Sequence, residues 1–128
     1  MTDYKSPEDL NKIPHINPDT LQKLRSSTAK NPEFLKEIFQ SFIDDTEVLI
    51  QEIETSVEED DFDTYYTAIH TLKGLSGTIG CSRIFNLLKI MDSLNKEQDF
   101  SKSKQLVGDL RNMFGELKII ITNEIIRS

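Results

Sequence analysis

From Phe34 to Val57 apolar side chains return every three or four residues: Phe34, Leu35, Ile38, Phe39, Phe42, Ile43, Leu49, Ile50, Ile53 and Val57. At about 100° per residue they form one stripe, which predicts a long helix with that stripe turned inward. Asn31-Pro32 stands before it as an N-cap followed by a proline whose missing N–H had no helical partner anyway. Asn17-Pro18 repeats the device and predicts a shorter helix to about Ala29. The acidic run Glu58 to Asp61 breaks the stripe, and Asp61 is placed to cap a helix carrying Phe62, Tyr65, Tyr66, Ile69, Leu72 and Ile79 inward, with Gly80 ending it. Ser82 offers an N-cap for a helix burying Ile84, Leu87, Leu88, Met91 and Leu94, and stopping near Asn95. A last helix from about Ser101 turns Leu106, Leu110, Met113, Phe114, Leu117, Ile120 or Ile121, and Ile125 inward.

No segment alternates apolar and polar residues as a half-buried strand does. The expectation is an all-α fold, an antiparallel four-helix bundle with a short additional N-terminal helix laid across one end. Residues 1–16 carry Pro7 and Pro14 without a sustained period and read as a loosely structured lead-in; residues 17–128 form the domain. At 128 residues and 37% hydrophobic composition the chain can close one core. A net charge of −7 disfavours nucleic acid and anionic lipid as partners. The longest apolar run, Ile119 to Ile121, is far short of the roughly 20 residues of a spanning helix. Cys81 is the sole cysteine, so no intrachain disulfide forms, and the N-terminus lacks a signal peptide's pattern; the expectation is a cytoplasmic, monomeric protein, with Met1 and the lead-in pointing to a free-standing one.

One segment breaks the rules of plain scaffolding. His70-Thr-Leu-Lys73-Gly74-Leu-Ser-Gly77-Thr-Ile-Gly80 holds three of the five glycines, and each glycine inside a helix costs about 1 kcal/mol relative to alanine. His70, Lys73, Gly74 and Gly77 share one strip of the helix beside its apolar face, so the glycines clear side chains away from the histidine. The 28 residues from Thr64 to Met91 contain no acid and carry Lys73, Arg83 and Lys89, a local +3 in a chain whose remainder is −10. A neutral imidazole can attack phosphorus through its free ring nitrogen, and a lysine one turn away can offset the charge gained. These residues mark a candidate phosphoryl-accepting site that needs neither nucleotide nor metal of its own.

The stretch Ala68-Ile-His70-Thr-Leu-Lys73-Gly74-Leu75-Ser76-Gly77-Thr-Ile-Gly80-Cys81 resembles the signature of histidine phosphotransfer (HPt) domains. Phe34–Asp63 and Ile84–Asp92 resemble the helices on either side of it, so the likeness covers most of the chain from about Asn17. It implies a bundle whose histidine projects into solvent and is phosphorylated on Nε2, shuttling the group between receiver domains of hybrid sensor kinases and response regulators. Lys73 would lie close by, Gly74 and Gly77 would admit the partner, and Arg83 and Lys89 would help to receive it. Asp92 stands where the family commonly has glutamate or glutamine, and would accept a hydrogen bond from the other ring nitrogen through a shorter side chain. Leu75 and Cys81 also depart from the family's usual small residues.

Other readings were weighed against these residues. A bundle that docks on a receiver or kinase and regulates it without chemistry would use the same face. A hydrolase with His70 as general base lacks a second catalytic group within helical reach. With two distant histidines and one cysteine there is no zinc set, and Gly74-x-x-Gly77-x-x-Gly80 lacks the strand-to-helix setting of a nucleotide loop, so no cofactor is expected. His15 reads as incidental and Cys81 as a small packing residue.

Overall fold

The computed structural model describes residues 7–95 and 100–128. Among them every regular element is helical: α1 (Pro7–Leu10), α2 (Pro18–Ser27), α3 (Pro32–Glu58), α4 (Phe62–Ile79), α5 (Ser82–Asn95), α6 (Ser103–Ile121) and a closing π-helical turn (Thr122–Ile126). Helices α3 to α6 pack in chain order, and α6 returns onto α3 to close a four-helix bundle. No described helix is long and apolar enough to cross a membrane.

The apolar stripes meet in one core. Phe39, Ile50, Ile53, Tyr65, Ile69, Leu72, Ile84, Leu87, Leu88, Met91, Leu110 and Leu117 are fully buried, and Ile38, Leu49 and Leu94 pack half-buried around them. Burying each large aliphatic side chain contributes roughly 1.5–3 kcal/mol before chain entropy opposes it. Two aromatics assigned inward lie outside: Phe34, in the first turn of α3, is 50% exposed, and Tyr66 is 46% exposed. In that turn Leu35 is the residue turned inward, so Phe34 beside it faces solvent, and Tyr66 belongs to the strip of α4 that faces outward. In the last helix Ile121 is the inward residue and Ile119 the exposed one.

Local chemistry sets the joints. The Asn17 carboxamide oxygen accepts from the Asp19 and Thr20 amides at 2.9 and 3.0 Å, while Asn31 opens α3 without a side-chain cap bond. Asp61 caps α4 through the Thr64 amide (3.1 Å) and hydroxyl (2.6 Å), and these bonds hold its carboxyl below the usual carboxylate range. Gly80 ends α4 in the left-handed region (φ 84°), where a Cβ would also strike Thr20 at 2.6 Å. Ser82 does not cap α5 as its position suggested. The Cys81 carbonyl accepts the first helical bond, from Phe85 N (3.0 Å), and the Ser82 hydroxyl turns back to the Gly80 carbonyl (3.3 Å).

Residues 7–16 lie against α5. Leu10 is fully buried and Ile13 and Ile16 pack on the core. The Arg83 guanidinium donates to the carbonyls of Ile13 (2.6 Å) and Asn11 (3.2 Å) and meets His15 Nε2 at 2.9 Å. Burial, then the Arg83 charge, lower the His15 pKa against a smaller opposing pull from Glu116.

Candidate functional site

Helix α4 places His70 on its exposed face. The ring makes no hydrogen bond among the described residues; its recorded neighbour is the Tyr66 ring, nearly parallel (8°) with centroids 6.3 Å apart. That distance is too long for close stacking, so Tyr66 flanks the imidazole without covering it. Tyr66 precedes His70 by one turn, the same spacing that puts Gly74 one turn after it. The four-residue step was therefore the signal that could have moved Tyr66 from the core list to the site.

The two glycines do different work. A Cβ on Gly74 would meet nothing within 4 Å, so this surface one turn beyond His70 is open. A Cβ on Gly77 would stand 3.0 Å from Phe85 Cε1, which shows that its missing side chain lets α5 lay an aromatic ring against α4. Gly77 thus serves the seam between helices, whereas Gly74 leaves room facing solvent. Phe85, which the sequence reading passed over, in turn carries Lys89 Nζ 5.8 Å from its ring centroid, a cation–π distance.

The three cations of the positive stretch have separate fates. Lys73 Nζ donates to Asp92 Oδ2 at 2.7 Å across the α4–α5 seam, with side chains 25% and 17% exposed. Asp92 therefore holds the lysine, and no bond joins it to the imidazole as the expected orienting acceptor would require. Arg83 is turned toward residues 11–15 and away from the His70 strip. Lys89 remains exposed on the outer side of α5. Phe85, Lys89 and Asp92, spaced by four and three residues, share a strip of α5 that meets α4 where Phe85 faces Gly77 and Asp92 meets Lys73.

Beneath this surface Cys81 is buried, and burial pushes its thiol up to about 12, leaving a packing residue and no ready nucleophile. No three His, Cys, Asp or Glu side chains gather as a metal set among the described residues. The arrangement offers one nucleophilic ring on an open surface, a lysine one turn along, and a glycine that keeps the approach clear.

Comparisons with known proteins bear on the family and the fold. A family model described as Hpt domain matches residues 37–119. Over 68 residues the chain is 38% identical to "Histidine-containing phosphotransfer protein 1" of Oryza sativa subsp. japonica; the match spans 52% of this chain and 45%, about half, of that relative. Among solved structures the chain is similar in fold to histidine-containing phosphotransfer protein B (HptB) from Pseudomonas aeruginosa PAO1, with a TM-score of 0.81, 17% identity, and 91% of this chain and 98% of that one covered. A bundle with His70 on its open face and a family match spanning three of its four helices in full or nearly so leads to one assignment: the chain belongs to the Hpt domain family.

Proposed function

We propose that this protein is a phosphorelay intermediate that takes a phosphoryl group onto His70 from the aspartyl phosphate of a receiver domain and gives it to an aspartate of another. The observation that carries the reading is the His70 ring, exposed and free of hydrogen bonds among the described residues, with open space beside it at Gly74. A ring nitrogen attacks phosphorus in line while the partner's carboxylate leaves with the electrons of the P–O bond; the return step reverses the roles. The other ring nitrogen keeps its proton, and Nε2 is the atom that reaches furthest from the helix. Lys73 supplies positive charge within one turn, and the partner supplies the metal that its own acyl phosphate requires. Lys89 and Phe85 extend the surface on which a receiver would rest. One copy holds the whole site, so the reading needs no second protomer and no nucleotide.

Incubation with a phosphorylated receiver domain tests this directly. The chain should acquire label in an acid-labile, base-stable form, and His70→Gln should take up none while retaining its helical circular dichroism. Receiver binding without label in the wild-type chain would replace the carrier with a docking-only bundle.

A further inference from the structure

We propose that Asp92 sets how long a phosphoryl group remains on His70, acting as a positioning residue through Lys73; this rests on the carrier reading above. Lys73 and Asp92 meet at 2.7 Å, so the ammonium is already engaged before any phosphoryl group arrives. Asp92 Oδ1 is buried without a hydrogen-bond partner, and the hydroxyls of Tyr65 and Ser103 are likewise buried and unpartnered. Burial raises the phenol pKa of Tyr65, with the Ser103 hydroxyl opposing and the Asp92 charge adding, so the α4 phenol feels the charge of the α5 carboxylate. Asp92 thus has one oxygen on Lys73 and a second that is buried and uncommitted among the described residues.

Unphosphorylated, the imidazole offers no anion to compete for Lys73. Once His70 carries a phosphoryl dianion one turn away, phosphoryl oxygens and carboxylate contend for the same ammonium. Loss to water requires a water oxygen to attack phosphorus as the N–P bond breaks; the ring nitrogen takes up a proton and inorganic phosphate departs. In a loose transition state negative charge moves from the phosphoryl oxygens toward the ring. A cation held at those oxygens therefore favours the phosphorylated ground state, and a nearby carboxylate disfavours it. Asp92 acts in the destabilising sense twice, by drawing Lys73 away and by its own charge, and so keeps the group labile for onward transfer.

The whole chain can be phosphorylated with phosphoramidate, whose P–N bond breaks with loss of ammonia, and the decay of phosphohistidine followed by 31P NMR at fixed pH. Asp92→Asn, nearly isosteric, should lengthen the lifetime by roughly threefold to tenfold, the scale of one partly exposed charge. Asp92→Glu, which keeps the charge, should return the lifetime toward the wild-type value, Lys73→Ala should shorten it, and high salt should shrink the Asp92→Asn difference. An unchanged or shorter lifetime in Asp92→Asn overturns the proposal and leaves the carrier reading intact. Phosphoramidate labelling of His70 with no uptake from any phosphorylated receiver overturns the carrier reading instead.

Discussion

Arg111 and Lys73 each reach across a helix seam to a carboxylate, and the two seams are built on different terms. On the α3–α6 side Arg111 donates three hydrogen bonds, to both oxygens of Glu54 (2.8 and 3.2 Å) and to Glu47 (2.7 Å). Those bonds raise its already high pKa further. On the α4–α5 side Lys73 makes a single bond to Asp92, and among the described residues neither the other Asp92 oxygen nor the imidazole one turn away has a hydrogen-bond partner. Helix propensity is also given up here, at Gly74 and Gly77. At the first, the bridging cation is held by three bonds to two carboxylates. At the second, the lysine has one bond, an Asp92 oxygen is left over, and the helix surface at Gly74 is open, which is where another molecule can be received.

Removing core beneath both seams should have the largest effect and should not discriminate between them. Leu110→Ala, at a fully buried position of α6, is expected to lose about 2–5 kcal/mol in urea unfolding. Refolded at saturating stability, for example in an osmolyte, the same variant should transfer phosphate normally, because the scaffold and not the site has been cut.

Gly74→Ala separates stability from function more sharply. The new Cβ meets nothing and replaces a poor helix former, so stability should rise by about 1 kcal/mol while uptake from a receiver slows. Gly77→Ala should gain less than Gly74→Ala, since its Cβ must displace the Phe85 ring. Equal gains at the two positions would dissolve the distinction drawn between them.

Arg111→Ala addresses the arginine-bridged seam. Its side chain is 33% exposed, so solvent screening limits the expected loss to below about 1 kcal/mol, falling further in high salt, with receiver transfer unaffected. A transfer defect in this variant would mean that the two faces are coupled. The smallest effect is expected at His15. Its pKa is lowered in the folded chain, so folding is unaffected above the unfolded value of about 6.5 and loses stability as pH falls through it, because the unfolded state binds the proton first. His15→Gln should flatten the slope of unfolding free energy against pH between about 7 and 5, leaving stability at pH 8 little altered.

How much of this could be read from the chain follows from which forces are local. Helical periodicity, the caps at Asn17 and Asp61 and the stop at Gly80 depend on neighbours within a few residues, and the α3–α6 helices appear where their stripes place them. Histidine spacing against Lys73 and Gly74 likewise fixes one strip of α4 without reference to the rest of the fold. The partner of Asp92 was a different matter. It lies 19 residues from Lys73, and whether its carboxylate reaches the ammonium or the imidazole depends on how α4 and α5 are set against each other. The burial of Leu10 and the capture of Arg83 by residues 11–15 also depend on contacts about 70 residues apart. Tyr66 is the case in which the pattern was visible and the residue type misled, an aromatic assigned to the core because aromatics usually go there.

The most direct trial of the account is to locate the phosphoryl group itself. After exchange with a phosphorylated receiver, fragmentation under neutral or basic conditions should find one phosphoryl group per chain, on the imidazole of His70. A group found on His15 or on a carboxylate, or a chain that stays unmodified while the receiver retains its phosphate, would contradict it.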